Sequence, residues 1–338
     1  MKNGKILIWA GLAISIIFLF LLFRKIDFNR LMEALQVLDW RYLAGAVALT
    51  FASYWLRAVR WRFLLVHEKQ IPLRSLYSAV IIGYMANNLF PARMGEFVRS
   101  WLLAEREKLP VAAVFASLVI DRLVDGMTVM FMLLFVIVTI ELPPGMEQAS
   151  VMLKTGGATT LLLYAVVVFF LLFLKARPVM ALRFMALIMR PFPATVSERL
   201  IPVAGSFLEG LRFSTDSSNI IKIVSSSILI WITATVPIDL VLKGFGIHLP
   251  IAASFFIMVL LVLAVMVPAA PGYVGTYHAA CYTGLAAFNV PDTQAVGIAL
   301  VIHGVGFFPV IFAGAWHIWS DGISLRRIRE QAASTAEH

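Results

Sequence analysis

Read position by position, the chain is a series of long apolar runs cut by short polar interruptions. Residues 6–23 and 155–174 contain no Lys, Arg, Asp or Glu, and each meets the roughly 20 apolar residues a helix needs to cross a bilayer. From Gly244 to Pro291 the chain runs 48 residues without a charged side chain. At about 1.5 Å per residue this is over twice the roughly 30 Å hydrocarbon core, so it crosses more than once or enters and turns back. The pattern predicts an all-α, polytopic membrane helical bundle with spans at 6–23, 41–66, 75–91, 111–140, 157–175, 219–242, 250–268, 273–289 and 293–319. No small-residue cleavage site follows the first run, which is read as a retained helix leading into an interfacial elbow.

Composition agrees: 61% of residues are hydrophobic and 14% charged, against about 45–50% and about 25% in soluble domains. The single cysteine, Cys281, excludes a disulfide framework and any multi-cysteine metal site. The net charge of +9 belongs to residues flanking the spans, so it reports topology and not nucleic-acid binding. Lys175, Arg177, Arg183, Arg190, Arg199, Arg212 and Lys222 follow one another closely, whereas 141–156 holds Glu141, Glu147 and Lys154. Positive-inside reasoning places 67–74, 175–218 and the C-terminus in the cytoplasm and 141–156 outside. The expected organisation is one transmembrane domain over 1–325, followed by a cytoplasmic tail at 326–338. Within the domain, 1–40 is the first span and elbow, 41–140 repeat one, 141–218 connecting spans with a basic cytoplasmic loop, and 219–320 repeat two.

The repeats rest on three landmarks of nearly constant spacing. Pro91-Ala-Arg-Met-Gly95 and Pro271-Gly-Tyr-Val-Gly275 share P-x-x-x-G at a displacement of 180; Pro110 and Pro291 lie 181 apart; LVI-Asp121 and LVI-His303 lie 182 apart. Under the charge-derived topology the copies are inverted, an arrangement common in membrane transporters.

Both P-x-x-x-G segments interrupt an apolar run. In YMANNLFPARMGEFVRSWLL the run from Ser75 ends at Asn87, Asn88 and Pro91 and restarts after Gly95; in VMVPAAPGYVGTYHAACYTG, Pro268, Pro271 and Gly272 end one helix and another starts near Gly275. Interrupted backbone at membrane depth survives only where protein or a wet cavity covers it. Two helix N-termini facing one cavity would seat an anion such as a phosphate.

Charges within the spans point the same way. Asp121, Arg122 and Asp125 interrupt SLVIDRLVDGMTVMFMLLF; at about 2.5–3.5 kcal/mol each at the bilayer centre, three charges in five positions require pairing or a polar cavity. An internally neutralised structural cluster is the competing reading. Arg57, Arg60 and Arg62 close the second span beside Trp55 and Trp61, where snorkelling to headgroups is the default; Arg57, the deepest, is the expected headgroup contact. Arg93, Glu96 and Arg99 flank the first break, and the two arginines suit phosphate oxygens. His278 follows the second break, and His303 holds the place of Asp121 in the second copy; each is read as a hydrogen-bonded core residue before a proton carrier. No HExxH, Walker-type or GxSxG motif occurs, so no catalytic residue, metal or cofactor is expected.

NLFPARMGEFVRSWLL, VIDRLVDG and PAAPGYVGTYHAA together resemble the landmark regions of the lysylphosphatidylglycerol synthase transmembrane family, the flippase-like domain at the N-terminal side of the multiple peptide resistance factor. The resemblance covers nearly the whole chain. It implies a bacterial or archaeal cytoplasmic-membrane protein with a lipid translocase role, and transfers that role to Arg93, Gly95, Glu96 and Arg99, to Asp121, Arg122, Asp125 and Gly126, and to Pro271, Gly272, Gly275 and Thr276. Two departures are Asp121-Arg122 where Glu-Arg is frequent, and Gly304 where an arginine often follows the position of His303. The aminoacyl-transferring synthase domain of the long members is absent from this sequence, so lysyl-lipid synthesis is not implied.

The leading expectation is therefore a lipid translocase, a transporter and not an enzyme, moving an anionic phospholipid or polyprenyl-phosphate type lipid. The expected headgroup site comprises Arg57, Asn87, Asn88, Arg93, Gly95, Glu96, Arg99, Asp121, Arg122, Asp125, Pro271, Gly272, Tyr273, Gly275, Thr276, His278 and His303. Membrane lipids are the expected partners, with a homodimer left open and nucleic acid excluded. The alternative is a membrane-embedded enzyme or accessory subunit acting on a polyprenyl-phosphate or glycolipid, with Asp121, Asp125 or Glu96 as acid or base. A third reading is a structural partner that recruits a soluble lipid-modifying enzyme through the basic segment 175–222.

Overall fold

The computed structural model describes residues 32–33, 36–65, 70–90, 94–139, 147–189, 194–211, 216–266 and 271–322. The expected first span at 6–23, Pro91, Arg93, Pro268 and the tail at 326–338 lie outside the described residues. Every described element is helical: α1 (Trp40–Leu64), α2 (Leu73–Leu89), α3 (Gly95–Glu107), α4 (Val111–Thr139), α5 (Glu147–Ala176), α6 (Pro178–Met189), α7 (Ala194–Gly210), α8 (Ser217–Gly244), α9 (Ile251–Met266), a 3-10 turn (Pro271–Tyr273), α10 (Thr276–Ala286) and α11 (Asp292–Ser320).

Four helices among the described residues are long and apolar enough to cross a membrane: α1, α4, α8 and Gln294–Ser320 of α11; Tyr164–Ala176 and Pro178–Leu187, apolar but bent by 99° where they meet, would count as a fifth only if the pair were one span. The expected spans at 75–91, 250–268 and 273–289 appear as helices of 17, 16 and 11 residues. Eleven residues in α10 rise only about 16 Å, half the hydrocarbon core. The expected loop at 141–156 is corrected, because α5 already begins at Glu147. The expected basic loop at 175–218 is corrected too: it folds as α6 and α7, since VMALRFMALIM carries enough apolar surface to pack as a helix. The length order long, short, short, long, seen in α1 to α4 as 25, 17, 13 and 29 residues, recurs in α8 to α11 as 28, 16, 11 and 29.

The chain forms two compact units: 1–52, 81–98 and 233–338 make unit one, and 53–80 and 99–232 make unit two. The chain passes from one to the other inside α1, α2, α3 and α8, so neither unit coincides with a sequence repeat. In unit one, α9, α10 and α11 pack a core of Ile257, Leu261, Cys281, Leu285, Ile298 and Ile302. In unit two, α4 is the central helix: α7 lies against it so closely that a Cβ on Gly210 would strike the backbone of Ala113. On another side, the Tyr164 hydroxyl of α5 donates to the Leu123 carbonyl.

The start of α3 shows how the first break is held. Asn87, buried in α2, accepts a hydrogen bond from the Gly95 N–H at 2.8 Å, satisfying one of the donors that a helix N-terminus leaves open. A Cβ on Gly95 would run into the Gly83 carbonyl oxygen and lie 2.7 Å from the Asn87 side chain. Gly95→Ala is therefore expected to destabilise the protein by about 1–3 kcal/mol. Gly306→Ala in α11, with nothing within 4 Å of the added carbon, is expected to be neutral or to stabilise by up to about 1 kcal/mol. Unfolding midpoints in detergent check the contrast; equal midpoints would refute the close approach at Gly95.

Candidate functional site

The charged residues inside the spans come together in unit two. Asp121 and Asp125 stand one turn apart on the same face of α4, a consequence of the i,i+4 spacing. Both carboxylates are buried, Asp121 1% and Asp125 5% exposed. An isolated carboxylate in such a place is costly enough to require cations and donors around it, and four helices supply them. From α1, Arg60 places Nη2 at 2.8 Å from one oxygen of each aspartate and donates Nε to Asp121 at 2.9 Å. Arg57, one turn earlier on α1, reaches Asp125 at 3.1 Å. From α3, Arg99 lies 3.4 Å from Asp121. Arg122 of α4 forks back onto both aspartates at 3.1 Å. From α8, Trp231 donates its indole N–H to Asp125 at 3.2 Å, and Ser227 accepts from Arg60 at 3.1 Å.

Aromatic faces complete the enclosure. The Arg57 guanidinium lies 5.6 Å from the Trp231 ring centre and that of Arg99 5.3 Å from the Trp61 ring, within cation–π range. Trp61, fully buried, donates to Ser117 at 2.9 Å, which ties α1 to α4 one turn before the aspartates. Four guanidinium groups thus share two carboxylates. Arg122 is the member at the surface, with a side chain 31% exposed against 9% for Arg57, 0% for Arg60 and 2% for Arg99.

Of the expected site residues, Arg57, Arg99, Asp121, Arg122 and Asp125 are brought together here. Asn87 and Gly95 meet at the first break, with Asn88 and Glu96 beside them at the end of α2 and the start of α3. Pro271, Gly272, Tyr273, Gly275 and Thr276 form the second break. There Gly272 and Gly275 adopt φ of 68° and 101°, left-handed values that favour glycine, and Tyr273 follows at 57°. His278 and His303 are partners: Nε2 of one lies 2.9 Å from Nδ1 of the other, with the Tyr277 ring stacked on His303 at 4.6 Å. A backbone hydrogen bond joins His303 to Gly272, fastening the turn to α11.

The snorkelling expectation for Arg57 and Arg60 is corrected: both point into the protein, and of the three arginines at the end of α1 only Arg62 is exposed. Arg60, Trp61, Ser227 and Trp231 are site residues that the sequence reading missed. The signal for Arg60 was present. Two aspartates on one face of an apolar helix need cations on one face of a neighbour, and Arg57 and Arg60 stand at i,i+3, whereas Arg62 does not share their face. Among the described residues no group of three or more His, Cys, Asp or Glu could hold a metal ion.

Removing the central cation leaves two buried carboxylates short of their closest partner. Arg60→Ala is expected to cost about 3–5 kcal/mol of stability, and adding Asp121→Asn to it to cost less than the sum of the single changes. Unfolding of the single and double variants in detergent measures this, and an additive pair would contradict the coupling.

Comparison with known proteins agrees on the class and changes the functional expectation. Glycosyltransferase AglD of Haloferax volcanii is 25% identical over 98% of this chain, and the match spans 57% of that protein's length. A UPF0104 membrane protein of Methanothermobacter thermautotrophicus is 23% identical over 72% of this chain and 74% of its own. Another UPF0104 membrane protein, of Methanocaldococcus jannaschii, is 25% identical over 37% of this chain and 38% of its own. No solved structure matches the chain. The expectation of a transporter and not an enzyme is overturned by the first of these, since a protein named as a glycosyltransferase matches almost the whole chain. The pattern of the lysylphosphatidylglycerol synthase TM region matches residues 8–314, and with its apolar helices the chain is a multi-pass membrane protein that belongs to the lysylphosphatidylglycerol synthase TM region family.

Proposed function

We propose that this protein is a membrane-embedded enzyme, or the membrane subunit of one, that acts on a polyprenyl-phosphate or glycolipid in the cytoplasmic membrane, with the arginine cluster of unit two seating the lipid phosphate. The observation that carries the reading is the convergence of four guanidinium groups, Arg57, Arg60, Arg99 and Arg122, around Asp121 and Asp125, with Arg122 the member turned to the surface. Guanidinium forks match phosphate oxygens in geometry as well as charge.

Likeness to a glycosyltransferase over 98% of the chain supports a phosphate-linked sugar carrier over the lipid translocase first expected. Within the reading, Asp121 and Asp125 align the guanidinium groups. Asp125 already takes three arginines and an indole N–H, which leaves it little capacity to serve as an acid or base. Arg122, the most exposed of the four, makes the first contact with the headgroup.

Binding of polyprenyl monophosphate to the purified protein in lipid nanodiscs tests this. Arg122→Gln is expected to weaken binding at least tenfold, about 1.4 kcal/mol, and to leave any binding of the uncharged polyprenol unchanged. Equal losses for both lipids, or no loss for the phosphate, would refute the assignment.

A further inference from the structure

The geometry points to α6 as an in-plane helix that docks on the surface zone of the bilayer through one apolar face; we infer its partner to be the boundary between acyl chains and headgroups. The argument is independent of the phosphate site. Residues 155–174 of α5 carry no Lys, Arg, Asp or Glu, and at about 1.5 Å per residue they traverse the roughly 30 Å hydrocarbon core by themselves. The span therefore ends where Lys175 and Arg177 begin, and α6 is not needed to complete it. At that point the chain bends by 99° between Tyr164–Ala176 and Pro178–Leu187. A helix at right angles to a completed span, starting at the interface, runs along the membrane plane.

The side chains of α6 fit that placement. Ala181, Leu182, Met185 and Ala186 are half-buried, and α6 packs on α7. Val179, Met180, Arg183, Phe184 and Leu187 lie on the opposite face at i, i+1, i+4, i+5 and i+8, and all five are exposed, Phe184 by 62%. Four of the five are large and apolar, a face that water does not tolerate as a continuous patch and that acyl chains do. Arg183, in the middle of this face, and Arg177, at its start, have stems long enough to reach anionic headgroups from a shallow depth.

Spin labels read the depth directly. Met180→Cys, Phe184→Cys and Leu187→Cys are labelled one at a time in the full chain, in vesicles of phosphatidylcholine with a minor share of phosphatidylglycerol. Val166→Cys in α5, an exposed position near the middle of the span, serves as the deep reference. The buried Cys281 stays in place, and its lack of labelling is checked on the unsubstituted protein. The expected result is oxygen access with exclusion of a water-soluble nickel complex at all three α6 positions, at one common depth, shallower than Val166. A helix entering the core would separate Met180 and Leu187 by about 10 Å in depth, and a steady gradient of that size would overturn the inference. Free access of nickel at all three positions, or exclusion of both reagents as under a protein partner, would overturn it as well.

Discussion

Two carboxylates on one face of an apolar helix set the terms for half of this protein. Asp121 and Asp125 sit in the middle of α4, where hydrocarbon gives them nothing to bind. The fold brings arginines from α1, α3 and α4 and hydrogen-bonding side chains from α8 to one point. Ser117 and Trp61 fix α1 against α4 one turn away. Arg60 then bridges both acids from α1, and its Nη1 donates to Ser227 of α8. Burying an ion pair seldom adds stability over an apolar replacement, so a cluster of six charged side chains in an apolar protein calls for a use beyond holding helices together. The convergence of four guanidinium groups on one point is the feature on which the proposed phosphate site rests.

The breaks in unit one are held by different means. At the first, Asn87 supplies the side-chain oxygen that meets the Gly95 N–H, and the missing Cβ lets α3 start against the carbonyl of Gly83. At the second, the left-handed turn at Gly272 and Tyr273 is fastened by His303, whose other hydrogen-bonding partner is His278 on α10. Each break thus carries its own polar partners, which is what interrupted backbone in an apolar setting demands.

Much of this was legible in the sequence, and the exceptions have physical causes. The apolar pattern marked the long helices expected at 41–66, 111–140, 219–242 and 293–319, and Pro, Gly and Asn marked both breaks to within a few residues, because these residues act on the backbone locally. The pairing of Asp121 and Asp125 with cations followed from the cost of burying charge. What pattern alone did not deliver was direction. An arginine near a span end has the same sequence signature whether it snorkels outward or turns inward, so Arg60 was assigned to the headgroups when it lies at the centre of the cluster. Trp231 and Ser227 were invisible, because an isolated polar position on an apolar helix does not tell which neighbour it faces. The segment 175–218 has the basic residues of a cytoplasmic loop and also the apolar spacing of the helices α6 and α7, and charge pattern alone does not separate the two.

The account stands or falls on where a lipid phosphate sits. The most direct measurement is a structure of the protein in nanodiscs loaded with polyprenyl monophosphate. The account predicts phosphate density within hydrogen-bonding reach of Arg122, beside Asp121 and Asp125 with their arginine contacts intact. Phosphate density resolved at another place, with the four arginines and two aspartates closed on themselves, would contradict it.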